Sequence, residues 1–109
     1  MIYITLISVE SLGCWGESES DRAISGDYGV LDMKGCYDKA KSLGYSVFAM
    51  NNHSNCYTSP SAWTTYKKYG QIPCNKPRAI EVYQIRKGII VFIDLREENF
   101  YVFPKICCY

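Results

Sequence analysis

Cys14, Cys36, Cys56, Cys74, Cys107 and Cys108 place six thiols in a chain of 109 residues. Thiols can bridge to one another, hold a metal or attack a substrate. A zinc site draws on two close Cys/His pairs. Here the one tight pair is Cys107–Cys108, and the single histidine, His53, is far from it in sequence, so no metal is expected. A nucleophilic thiol needs a base within hydrogen-bond reach. His53 lies three residues before Cys56, yet only ordinary loop residues surround the two, and no Asn or Asp pattern organises them. Cross-linking remains. Cysteine density of this order in a small domain marks a disulfide framework and an oxidising, extracellular setting.

The oxygen-bearing side chains say less. Asp21, Asp27 and Asp32 share one segment, but their spacing matches no EF-hand, and loop aspartates usually bond to nearby backbone amides. Glycoside cleavage needs two carboxyls across a cleft, and nothing in the chain marks such a pair. Neither an enzyme nor a cofactor is expected.

The best binding candidates are amides and aromatic rings. Asn51, Asn52, His53, Asn55, Tyr57 and Trp63 follow one another between two regular elements. Sugars are held by a ring face against an aromatic plane, with amides reading the hydroxyls, and this group supplies both. Trp63 also fits a helix core, and the asparagines fit turn chemistry. Asn52-His53-Ser54 is in addition an acceptor triplet for N-linked glycan.

The elements that must position these groups follow from periodicity. MIYITLIS lacks the basic start and small-residue cleavage site of an export signal; with Ile2, Ile4 and Leu6 alternating, it reads as a strand. Residues 11–32, rich in Gly, Ser, Asp and Glu, read as a loop broken by an apolar run at Ala23–Ile24. Met33, Cys36, Tyr37, Ala40 and Leu43 then fall on one helical face, with Asp32 placed as N-cap and Gly44 as the left-handed stop. Residues 45–50 read as a strand covered on both faces. Ser59 and Pro60 signal a second helix that carries Ala62, Trp63, Tyr66 and Tyr69 on one face and stops at Gly70. Strands are expected at 79–85 and 88–95 around an Arg86-Lys87-Gly88 hairpin turn, with a further run at 100–103 ended by Pro104.

Twelve basic against eleven acidic residues leave a net charge of +1. That balance supplies no field to steer nucleic acid or an anionic membrane. The longest uncharged apolar stretches, 1–8 and 89–93, are too short to span a bilayer, so membrane insertion is not expected. The length suits one domain, 1–109.

Taken together, GCW at 13–15, DRAI at 21–24, CYDKAKSLGYSVFAM at 36–50, Cys56, TYKKYG at 65–70, Cys74 and EVYQI at 81–85 resemble small cysteine-rich extracellular modules of invertebrate secreted proteins. More distantly they resemble the WSC domain. The likeness covers about residues 12–85; residues 86–109, with the C-terminal strands, lie outside it. It departs from the WSC pattern after the strand, where that family has C-x-C-G and this chain has Cys56-Tyr57-Thr58-Ser59. The resemblance implies a non-enzymatic binding or adhesion module with carbohydrate as the suspected ligand.

Four cysteines within that region allow three pairings. Cys36 with Cys56 is expected because the first helix lies over the strand leading to Cys56, which leaves Cys14 with Cys74. Trp15 and Arg22 would then border the amide and aromatic patch. Cys107 and Cys108 are adjacent and are free to bridge to another chain, to each other, or to neither. The expected architecture is α+β: a small disulfide-stapled antiparallel sheet of four or five strands with two short helices packed on it. The expected function is extracellular binding of a glycan or a matrix protein. The rivals are a secreted defence protein, toxin or antimicrobial, and a small protease inhibitor.

Overall fold

The computed structural model describes residues 2–94 and 99–101, and side chains over 7–87. In chain order the elements are β1 (Ile2–Gly16), β2 (Asp27–Val30), α1 (Met33–Leu43), β3 (Val47–Asn51), β4 (Asn55–Thr58), α2 (Ala62–Thr65), β5 (Ala79–Asp94) and β6 (Asn99–Tyr101). The strands form one antiparallel sheet in the order β1-β5-β3-β4-β2, with β6 also pairing β5. This is the expected small α+β fold.

α1 is bounded as its sequence dictates. Asp32 holds extended dihedrals, and its Oδ1 accepts from Gly35 N at 2.6 Å, which satisfies a first-turn amide. Gly44 sits at φ 78°, and Tyr45 N donates back to Ala40 O at 2.9 Å, closing the last turn. The helix buries Cys36 and Ala40 against Phe48, Cys56 and Ile85. Met33 and Leu43, expected on that face, are exposed at its two ends. Eleven residues span three turns, and the sheet beneath covers only the middle ones.

Alternation along β3 and β5 separates two cores. Val47, Ala49, Ile80 and Val82 face Ile24, Ala62 and Tyr66. Phe48 and Ile85 face α1 on the other side. Both faces of the central sheet are therefore covered, as the apolar run through residues 45–50 requires. Two disulfides clamp the layers. Cys36–Cys56 joins α1 to β4 with Cα atoms 5.5 Å apart, and Cys14–Cys74 joins β1 to the segment before β5 at 5.1 Å. Both pairs are the expected ones.

Three expectations about the strands are corrected. The Arg86-Lys87-Gly88 hairpin does not form; these residues lie within β5, opposite Ser8, Ile7 and Leu6. The long β1 offers one ladder to both apolar runs, and the charged interruption sits beside Glu10, whose Oε2 is 2.6 Å from Arg86 Nε. Residues 11–32 are not one loop: 11–16 continue β1 and 27–30 form β2. Glycine misled here, because Gly13 at φ 90° serves a bulge after Ser11 rather than a turn. The segment after Asn51 is not loop as far as the second helix, since Asn55–Thr58 pair as β4.

The second helix is a single turn. Ser61 rather than Ser59 precedes it, without a side-chain cap bond, while Ser59 Oγ is buried without a hydrogen-bond partner among the described residues. In place of a cap, Thr65 Oγ1 donates to Ala23 O and ties the turn to the 17–26 loop. So short a helix buries only Ala62 and Tyr66 of its expected face. In the C-terminal part, β6 takes up Asn99–Tyr101. Phe103, Pro104, Cys107 and Cys108 lie outside the described residues.

Candidate functional site

The loop between β1 and β2 is built around one buried carboxylate. Glu17 is 8% exposed. Its Oε1 accepts from Ser18 N at 2.9 Å and Ala23 N at 2.6 Å; its Oε2 accepts from Ile24 N at 3.1 Å and Arg22 Nη2 at 3.2 Å. Four donors around one carboxylate offset the cost of taking its charge out of water. Its backbone N–H donates to Arg78 O at 3.0 Å, which fastens the loop to the start of β5.

Arg22 is fixed by the same arrangement. Nη2 reaches Glu17, Nε donates to Ile24 O at 3.0 Å, and the guanidinium carbon lies 3.9 Å from the centroid of the Tyr57 ring. Cation–π stacking on a buried ring strengthens this hold. Nη1 has no protein hydrogen bond among the described residues. Tyr57 is itself 5% exposed, and its hydroxyl accepts from Asn51 Nδ2 at 3.2 Å and Asn55 Nδ2 at 3.4 Å.

On the far side of the loop, Lys68 Nζ is 2.6 Å from Asp21 Oδ2, and Tyr69 donates its hydroxyl proton to Asp21 O. The hydrogen bond from Lys68, followed by its charge, holds the Asp21 carboxyl below the usual carboxylate range. Asp21 raises the Lys68 ammonium in return. The loop is thus latched at both ends, to β5 and to the turn after α2.

Between this loop and residues 77–80 lies a cleft of about 340 Å³, lined by Ser18, Ser20, Arg22, Asn51, Tyr57 and Arg78 among others. Three of the expected site residues, Arg22, Asn51 and Tyr57, meet here. Asn55 touches the Tyr57 hydroxyl but does not line the cleft. Asn52 and His53 are exposed at the β3–β4 tip, outside it.

Trp15 does not border the cleft. It is packed edge-on against Tyr66, with ring centroids 5.1 Å apart, and its Nε1 donates to Leu12 O at 3.0 Å. Trp63 is 54% exposed on α2, also away from the cleft. Adjacent helical residues are about 100° apart around the axis, so Trp63 cannot share the face that buries Ala62 and Tyr66. Nor is Tyr57 an open platform, because Arg22 covers one face and the residue is buried.

The site's chemistry is therefore polar: a guanidinium edge, a second arginine, two serines, an amide and the exposed carboxylate of Glu19. Glu17 and Arg78 went unnoticed in the sequence. Glu17 stands with Glu19 in a Gly/Ser-rich stretch, where both look solvated; the one hint was Arg22 five residues on. Among the described residues no group of His, Cys, Asp or Glu side chains is placed to hold a metal, and no helix is long and apolar enough to cross a membrane. Compared with models of known protein families, with curated proteins and with solved structures, the chain matches none of them.

Proposed function

We propose that the domain is a non-enzymatic extracellular binding module that takes a glycan in the cleft between the 17–22 loop and residues 77–80. The observation that carries this reading is the immobilised Arg22. Held by Glu17, Ile24 O and the Tyr57 ring, it presents planar donors without the entropy loss that a free arginine side chain incurs on binding. A guanidinium edge, an amide and hydroxyls match the paired hydroxyls or carboxylate of a sugar ring. Glu17 already accepts from four donors, so its oxygens are committed to holding the loop. The two disulfides support an oxidising, extracellular setting.

The test is a glycan array with the disulfide-intact domain, followed by titration calorimetry on the best ligand. Arg78→Ala is the sharpest variant, because Arg78 lines the cleft and is exposed. It should weaken binding about tenfold, or 1.4 kcal/mol, whereas Trp63→Ala should leave binding unchanged. The reading fails if no glycan binds, or if Trp63→Ala abolishes binding that Arg78→Ala spares.

A further inference from the structure

We propose that Asn52 is the acceptor of an N-linked glycan, displayed at the β3–β4 tip outside the cleft. Among the asparagines at 51, 52, 55, 75 and 99, only Asn52 begins an Asn-X-Ser/Thr triplet. The structure adds a division of labour among the neighbouring amides. Asn51 Oδ1 accepts from His53 N at 3.0 Å and Asn55 N at 2.9 Å, and Asn51 Nδ2 is on Tyr57. Asn55 Nδ2 is on the same hydroxyl. Both amides therefore help to hold the hairpin. Asn52 is exposed, and its amide makes no hydrogen bond among the described residues.

The rest of the triplet is equally accessible. Ser54 is exposed, its hydroxyl makes no hydrogen bond among the described residues, and its backbone is fixed: its N donates to Asn51 O at 3.1 Å, its O accepts from Leu31 N at 2.9 Å, and its φ is 62°. Among the described residues neither side chain makes a hydrogen bond, so a bulky substituent on Asn52 breaks none. The chemistry is a group transfer from a lipid diphosphate-linked oligosaccharide, supplied with its transferase by the secretory pathway. A bond forms between Asn52 Nδ2 and the sugar C1 as the C1–O bond breaks. The lipid diphosphate departs with the electron pair, and the amide gives up one proton.

The inference rests on the extracellular reading, and the experiment separates the two. The full chain is expressed in a glycosylating eukaryotic cell, once with its own N-terminus and once behind a cleavable export signal. Intact mass is read from medium and lysate, before and after an amidase that removes N-glycans and leaves Asp at the attachment site. The exported chain should carry glycan mass that this enzyme removes, with Asp appearing at position 52. Asn52→Gln and Ser54→Ala should each abolish the shift, and Ser54→Thr should retain it. Glycosylation of the signal-bearing version upholds the acceptor, and an unmodified version that stays in the lysate speaks only to export of the chain as given. An exported chain unmodified at Asn52, or a mass shift that survives Asn52→Gln, overturns the inference.

Discussion

The guanidinium of Arg22 lies 3.9 Å from the centroid of the Tyr57 ring while its Nη2 meets Glu17 at 3.2 Å. One side chain thus pins the 17–24 loop to β4 and neutralises a buried carboxylate. Arg22→Ala removes that neutralisation and leaves the buried Glu17 carboxylate with only backbone donors. Breaking a buried pair from one side costs roughly 3–5 kcal/mol. The three remaining N–H bonds keep the expected loss near the low end, about 3 kcal/mol. Arg22→Lys keeps the charge but loses the planar stack and fork, and should cost about 1 kcal/mol. Urea denaturation of both variants checks the order; equal losses would show that stacking contributes nothing.

The two disulfides should differ in reducibility. Cys36 and Cys56 are fully buried between α1 and the sheet, whereas Cys74 is exposed. Limited reduction followed by alkylation and mass mapping should label Cys14 and Cys74 first, because exchange requires access to sulfur. Removing them should follow loop length instead. Their sequence separations are 60 and 20, for which chain entropy gives about 4 kcal/mol for Cys14–Cys74 and about 3 for Cys36–Cys56. Chemical denaturation of the paired serine variants measures both. Early labelling of Cys36 would contradict the burial argument.

Gly26 is required by close approach. A Cβ built there would stand 2.1 Å from Thr58 O and 3.0 Å from the Tyr28 ring. Thr58 N donates to Gly26 O at 2.9 Å, and Thr58 Oγ1 to Val47 O at 2.7 Å, so the backbone it would strike is held in place. Gly26→Ala should destabilise by about 2–3 kcal/mol, with a matching fall in the urea midpoint. An unchanged midpoint would mean that this crossing yields without cost.

α1 was legible to the residue because its signals are local: a capping Asp32, an apolar stripe and a terminal Gly44 act within a few residues of one another. The disulfides were legible through topology, once helix and strand were placed back to back. β5 was not. Arg86-Lys87-Gly88 carries a turn signature, and only the pairing to β1, about 80 residues away along the chain, overrides it; no local window contains that information. The site split in the same way. Asn51, Tyr57 and Arg22 were visible by residue type, whereas Glu17 gains its role from amides at 18, 23 and 24 that converge on it in space. Trp15 and Trp63 looked like sugar platforms by type, yet packing placed one against Tyr66 and the other away from the cleft.

Tyr83 should mark the alkaline limit of the fold. Its ring stacks on Phe48 with centroids 5.3 Å apart. Desolvation, reinforced by its hydrogen bond with Glu81 and that carboxylate's charge, pushes its hydroxyl from 10.0 up to about 12. The folded value lies above the unfolded one, so the fold favours the protonated phenol. This contribution is complete below about pH 10 and is lost as pH rises from there through about 12. Phenolate absorbance should show a late-titrating tyrosine that disappears in Tyr83→Phe. Glu81→Gln should move the same titration down toward the ordinary value, by removing the charge while leaving the burial. Stability measured against pH should then fall less steeply above pH 10 in Tyr83→Phe than in the parent chain. If all the tyrosines ionise together near their ordinary value, Tyr83 is not desolvated against Phe48, and the packing of the α1-side core must be redrawn.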